Sequence, residues 1–127
     1  MDVRKRNQLI DNYFNGLDQT EYPILRSSFT DSIHYRYTHE EEYRGIDEVM
    51  DYFENKRRTA NTTHHLGRRI HGEEASTCEG TVEGELVHDG HVRGTQGNFR
   101  GAYCNVFEFD EGDSAIATIT IYRRFIE

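Results

Sequence analysis

The chain is short of cysteine, proline and cations: two Cys, one Pro, and 15 Lys and Arg against 23 Asp and Glu in 127 residues. Each scarcity excludes something. Cys78 and Cys104 show no CxxC spacing and form no cysteine-rich framework. They either pair or stay reduced, and two half-buried thiols are the expectation. No apolar run approaches the ~20 residues of a membrane helix. Met1-Asp2-Val3-Arg4-Lys5-Arg6-Asn7 lacks the apolar core of a signal peptide, so a soluble cytoplasmic protein is expected. The formal net charge is −8, which argues against nucleic acid or an anionic membrane as partner, because phosphate binding needs clustered cations. Arg57-Arg58 and Arg68-Arg69 are pairs too short for such a patch. The acidity reads as solubility. His34, His39, His71, His88 and His91 are scattered without HxH or HExxH spacing, so no metal site is expected. There are no internal repeats, linkers or low-complexity tracts.

The length suits one domain, residues 1–127, with a single core. Leu9, Ile10, Tyr13, Phe14 and Leu17 mark one face of a first helix. Asp18-Gln19-Thr20-Glu21 has capping-box spacing for a second, short helix that tolerates Pro23 in its first turn and turns Ile24, Leu25, Ser28 and Phe29 to the core. Asp31-Ser32 breaks the pattern, and Ile33 to Thr38 reads as a short strand. A third helix follows Gly45 with Ile46, Val49, Met50 and Phe53 at helical spacing. From Asn61 onward the chain reads as long strands: His64 to Ile70, Ala75 to Val87, Val92 to Phe109 and Ala115 to Phe125. His88-Asp89-Gly90 and Asp110-Glu111-Gly112-Asp113 supply turns. Three helices and one early strand before a meander predict an α+β domain, with helices gathered on one face of a curved, mainly antiparallel sheet.

Two segments carry chemistry. Tyr13-Phe14-Asn15-Gly16-Leu17-Asp18 ends a helix on an acid, and Thr62-Thr63-His64-His65-Leu66-Gly67 opens a strand with two imidazoles. If the fold brings them together, Asp18 orients and charge-stabilises a histidine that moves protons near neutral pH. Side chains alternate along a strand, so only one of the two histidines enters a given cavity. His64 shares parity with Leu66 and Ile70, the apolar side; His65 goes with Gly67 and Arg69. His64 is then either the base or a hydrogen-bonded core histidine, with His65 as the alternative base. Asp18 is either the histidine's partner or the cap of the second helix. Tyr13 and Tyr35 either pack or donate a hydroxyl into a cavity. Glu79, Thr81, Glu83 and Glu85 alternate as an exposed acidic face.

The layout resembles the nuclear transport factor 2-like superfamily, the cone-shaped roll shared by ketosteroid isomerases, SnoaL-like polyketide cyclases and scytalone dehydratase. Phe29-Thr30-Asp31 before the first strand, Gly45-Ile46-Asp47-Glu48-Val49 opening the third helix, and the closing hairpin Val106 to Tyr122 carry the likeness. Tyr13 to Asp18 resembles the bile-acid 7α-dehydratase segment with its active-site Tyr and Asp. Ile33-His34-Tyr35-Arg36 is similar to the scytalone dehydratase strand whose Tyr polarises the substrate carbonyl. Thr62 to Gly67 resembles the stretch bearing the catalytic His, with His64 in its place, and Glu85 falls at a second polar position. The likeness has gaps: Thr120 stands where the bile-acid enzyme has a late Arg, and Tyr103 where scytalone dehydratase has an Asn. A ketosteroid isomerase base has no carboxylate in register, and the Asp-Arg-Asp set of limonene epoxide hydrolases is not recognisable.

The resemblance implies a cofactor-independent dehydratase-type lyase for a small cyclic or polyketide-like substrate. His64, Asp18, Tyr35 and Tyr13 would be its catalytic set; Glu85, Tyr103, His65, Phe14 and Phe53 would be substrate contacts. A binding or docking domain, or a polyketide cyclase or isomerase, is the alternative. It also implies self-association, a homodimer first and a trimer second, for which the long last strand has Ile and Tyr on both faces.

Overall fold

The computed structural model describes residues 1–37, 41–88, 91, 92 and 97–126, the side chains of 88, 91 and 92 aside. His39 and the turn residues Asp89 and Gly90 lie outside the described residues. The first helix, α1 (Val3–Asp18), starts at Asp2, whose carboxylate accepts from the Lys5 amide at 3.1 Å. Leu9, Ile10, Tyr13, Phe14 and Leu17 are all buried, as their spacing predicts. Gly16 shares that face for a steric reason: a Cβ there would sit 2.8 Å from Leu25 Cγ. The next helix, α2 (Tyr22–Ser28), therefore packs closely against α1.

Two expectations for α2 need correcting. Its N-cap is Glu21 with no side-chain cap bond, so Asp18 closes α1 and caps nothing. Leu25 and Ser28 define the buried arc, and Ile24 at its edge stays 38% exposed. Phe29 is buried, but as the first residue of β1 (Phe29–Tyr37). That strand begins before Asp31-Ser32 because a register shift between Phe29 and His34 absorbs the polar pair. A second early strand, β2 (Glu41–Arg44), pairs with β1 and was not anticipated. Its Glu-Glu-Tyr-Arg sequence has no apolar alternation, because it is an edge strand on which charges discourage further pairing.

Gly45, at φ 89°, leads into α3 (Ile46–Asp51), which widens into a π-helical turn over Tyr52–Lys56. Val49, Met50, Tyr52 and Phe53 are buried there and Ile46 partly so. The long strands follow: β3 (Thr59–His71), β4 (Ser76–His88), the two-residue β5 (His91–Val92), β6 (Asn98–Phe109) and β7 (Ile116–Ile126). The sheet order is β2-β1-β7-β6-β4-β3, with β5 on β4; β1 and β7 are parallel and every other pair is antiparallel. The helices gather on one face of this curved, unclosed sheet. No helix among the described residues is long and apolar enough to cross a membrane.

Strand β3 departs from simple alternation. A register shift between Leu66 and Arg69 reverses the faces beyond it. Ile70 (54% exposed) is therefore turned away from the face of His64, whereas Leu66, before the shift and opposite Gly80, keeps that face but is 39% exposed at the sheet edge. Arg69, expected on the wetter side, instead reaches α1, with Nη1 3.1 Å from Asn7 Oδ1 and an ion pair to Asp11.

At the other end of α1, Arg6 is buried and ties three segments together. Its Nε lies 3.1 Å from Asp113 Oδ1, its Nη2 donates to the Glu73 carbonyl at 2.8 Å, and its guanidinium lies over the Phe109 ring. Asp113 also accepts from the Asp2 amide at 2.7 Å. Truncating Arg6 strands the Asp113 carboxylate. Arg6→Ala should cost about 3–5 kcal/mol of stability, the usual penalty for removing one partner of a buried ion pair. Urea unfolding of the two proteins measures it.

Candidate active site: an Asp–His pair facing an aromatic interior

Local backbone irregularity aims the site. Asn61 adopts φ 50°, a left-handed conformation that Asn tolerates better than most residues. The register of β3 against β4 shifts between Ala60 and Thr63. Thr62 emerges buried and His64 largely buried, both turned toward the end of α1 where Asp18 waits.

The Asp18 carboxylate takes three hydrogen bonds from this short stretch. Oδ1 accepts from the Thr62 hydroxyl at 2.9 Å and lies 2.6 Å from His64 Nδ1; Oδ2 accepts from the His64 amide at 2.8 Å. The Arg57 guanidinium donates to the same Thr62 oxygen at 3.1 Å. Burial works to raise the Asp18 carboxyl, but the hydrogen bonds from His64 and Thr62 outweigh it and hold it below its ordinary value. Burial lowers the His64 imidazole below its ordinary value even though Asp18 pulls the other way, and Arg57 and Arg123 lower it further. Both shifts favour one state near neutrality: a charged Asp18 and a neutral His64. Nδ1 then carries the proton donated to Asp18, and Nε2 holds a basic lone pair.

The imidazole sits among rings, its centroid 5.0 Å from Phe14 and 5.4 Å from Tyr103. Tyr103 fits because its neighbour on β4 is a glycine. A Cβ at Gly80 would fall 2.1 Å from the His65 carbonyl and 2.7 Å from the Tyr103 hydroxyl. Deeper in the core runs a series of phenols. Tyr13 and Tyr35 oxygens lie 3.5 Å apart, Tyr35 donates to Tyr37 at 3.4 Å, and Tyr52 donates to Tyr37 at 3.3 Å. Burial raises the pKa of Tyr13, Tyr35 and Tyr52, so these phenols stay protonated as donors. The series ends at a pocket of about 60 Å³ lined by Tyr37, Glu41, Tyr52, Arg58, Thr59 and Arg123.

The sequence candidates divide by face. Asp18, His64, Phe14 and Tyr103 form one cluster, and Tyr13 adjoins it through Phe14 at 5.0 Å. Tyr35 and Phe53 lie next to one another further in, with ring centroids 5.0 Å apart. His65 and Glu85 are not brought to the pair. His65 is exposed and bonds Glu83 at 3.1 Å, while the Glu85 carboxylate accepts from Asn61. On β4 these glutamates alternate with the buried Cys78 and Val82, so they point away from the helices. Thr120, the counterpart of the relatives' late Arg, binds the Arg36 Nε at 2.8 Å. The arginine on the helix side is Arg123, opposite Tyr103 in the β6–β7 register. Thr62, Arg57, Tyr37, Tyr52 and Arg123 were missed. Thr62 and Tyr37 had a signal, their shared parity with His64 and Tyr35 respectively. Among the described residues no three His, Cys, Asp or Glu side chains converge as a metal site requires, and both cysteines are free thiols.

The sequence pattern of the SnoaL-like domain matches residues 2–120. The chain belongs to the SnoaL-like family. This places it in the nuclear transport factor 2-like superfamily, and solved structures agree on the fold of this SnoaL-like protein. SalBIII, an epoxide hydrolase/cyclase-like enzyme of pyran ring formation in the polyether salinomycin, superposes with a TM-score of 0.80. It shares 15% identity over 97% of this chain and 93% of its own. An LEH-like epoxide hydrolase of Mycobacterium tuberculosis gives 0.77 at 16% identity over 95% and 84%. An NTF2-like protein of unknown function from Burkholderia pseudomallei gives 0.75 at 13% over 96% and 91%. No curated protein sequence matches.

The Asp–His pair makes stability depend on pH with a definite sign. The unfolded imidazole takes up a proton near pH ~6.5, while folded His64 resists it to lower pH. Between those values the unfolded state binds more protons, so stability falls as pH falls through that window. It falls again below the ordinary carboxylate value of ~3.9 as Asp18 is forced to protonate. Urea unfolding at stepped pH should show the first decline in the wild type and a shallower one in His64→Gln.

Proposed function

We propose that this SnoaL-like protein is a cofactor-independent lyase of the dehydratase type, acting on a small cyclic or polyketide-like substrate in the cytoplasm. One observation carries the reading: Asp18 accepts the His64 Nδ1 proton at 2.6 Å, leaving Nε2 as a base inside an aromatic interior. In the proposed reaction Nε2 takes the proton from a carbon beside a carbonyl. The C–H electron pair becomes the enolate double bond, and Asp18 stabilises the imidazolium. Collapse of the enolate expels the hydroxyl on the next carbon, His64 returns the proton to it, and water leaves a conjugated product. The phenols of Tyr13 and Tyr35 are the candidate donors to the enolate oxygen, a type of contact that contributes about 10²-fold or more in rate.

The likeness of the Tyr13–Asp18 and Thr62–Gly67 segments to the dehydratases supports this reading. A cyclase is the second, because it needs the same proton transfers and SalBIII, a ring-forming enzyme, has the same fold. Association as a homodimer through the open sheet face belongs to the proposal, with a trimer as the alternative. Tyr122, 49% exposed on that face, supports it.

A panel of β-hydroxy ring ketones, screened by thermal shift and followed by ultraviolet absorption of the conjugated product, tests the chemistry. His64→Ala should lower turnover by about 10²-fold or more with ligand affinity nearly kept. Asp18→Asn should act in the same direction, since it removes the charge that stabilises the imidazolium. Binding without spectral change, indifferent to His64→Ala, would make the protein a binding domain. Light scattering should give twice the chain mass at micromolar concentration; a monomer contradicts the association.

A further inference from the structure

Arg123 is half-buried on the helix side of β7, in a chain where acidic groups outnumber basic ones. Among the described residues no carboxylate pairs with it. Its guanidinium instead lies 5.5 Å from the Tyr37 ring centroid and 5.7 Å from those of Phe99 and Phe125. Such faces orient a cation without neutralising it. The other charges on the small pocket are already matched: Glu41 pairs with Arg58 and accepts from the Tyr43 hydroxyl at 2.6 Å. What remains is one guanidinium fork beside the phenols of Tyr37 and Tyr52, at the end of the hydroxyl series that leads inward to Tyr35 and Tyr13.

We propose that Arg123 and the neighbouring Tyr37 hydroxyl, whose own proton is left over after it accepts from Tyr35 and Tyr52, hold a carboxylate of the substrate, so that this site takes a small cyclic acid. The inference deepens the lyase reading and rests on it for the chemistry. A planar guanidinium matches a planar carboxylate in two parallel hydrogen bonds, and a half-buried one with no carboxylate partner among the described residues gains most from a ligand that brings one. A pocket of about 60 Å³ suits such a head group alone. The rest of the ring then extends toward the aromatic interior. The Arg57 guanidinium, bonded only to Thr62 among the described residues, adds positive potential on the side of the pair. The same two arginines act on the His64 ring and on Tyr13, which puts pocket and base within one electrostatic neighbourhood.

Calorimetric titration with cyclohexene-1-carboxylate and its neutral carboxamide at neutral pH reads the preference directly. The acid should bind about tenfold or more tightly than the amide, the size of a charge-assisted hydrogen bond. That advantage should shrink as salt is added, vanish in Arg123→Gln and survive in part in Arg123→Lys. Equal affinities, binding of neither compound, or a preference unchanged in Arg123→Gln overturns the proposal. If Arg123→Gln does not fold, the comparison of acid with amide on the wild type, with its salt dependence, decides between the two outcomes. His64→Ala should keep the preference whether or not turnover is lost. An acid-selective protein without turnover would therefore sink only the lyase reading, and an active enzyme indifferent to the acid only this one.

Discussion

A single carboxylate joins the helical layer to the edge of the sheet at the point where the proposed chemistry happens. Asp18 is the last residue of α1, and β3, the strand it binds, pairs with β4 on one side only. Its three hydrogen bonds fix the Thr62 hydroxyl, the His64 backbone and the His64 ring at once. An edge strand held by one neighbour is the least constrained part of a sheet. The carboxylate supplies the missing constraint from the other side, and it sets the tautomer as it does so. Position and protonation of the imidazole thus share one cause.

The interior around that pair is apolar in shape and wet in chemistry. Rings of Tyr13, Phe14, Phe53, Tyr103 and Phe107 fill space, Tyr13 meeting Phe14, Phe53 and Phe107 edge to face, while the tyrosines of the core carry hydroxyls that must find partners. Pairing phenols with one another satisfies them without water or charge. In such a series each phenol but Tyr37 gives its proton to a neighbour, so one donor is left over at the end by the small pocket. The acidity of the chain lies elsewhere, as in the outward glutamates of β4.

How much of this was legible in sequence follows from which signals are local. The face of α1 is set by spacing within the helix, so Leu9 to Leu17 could be read directly. The meeting of Asp18 with His64 was suggested by two separate segments, and only the fold could bring them within 2.6 Å. Glu85 is a candidate from counting along a relative's strand and His65 from its adjacency to His64, and alternation carries both to the opposite face. Tyr37 had only its shared parity with Tyr35, and Arg123 and Tyr52 gave no local signal. They meet through the parallel pairing of the first strand with the last and a π-helical turn, and neither is written in any one stretch of residues. The edge strand β2 was hidden for the converse reason, since its composition serves solubility rather than packing.

The register shift between Leu66 and Arg69 divides β3 into two parts that do not share a phase. The part before it presents Thr62 and His64 to the interior; the part after it presents Arg69 and His71 to Asn7 and Asp11 of α1. The extra residue at the irregularity brings Arg69 to the face of His64, where unbroken alternation would have put Ile70. One strand thereby holds two parts, one that meets Asp18 and one that clamps onto the middle of α1. Sequence change at the clamp need not disturb the alignment of the imidazole, because the irregularity separates the two phases of the strand.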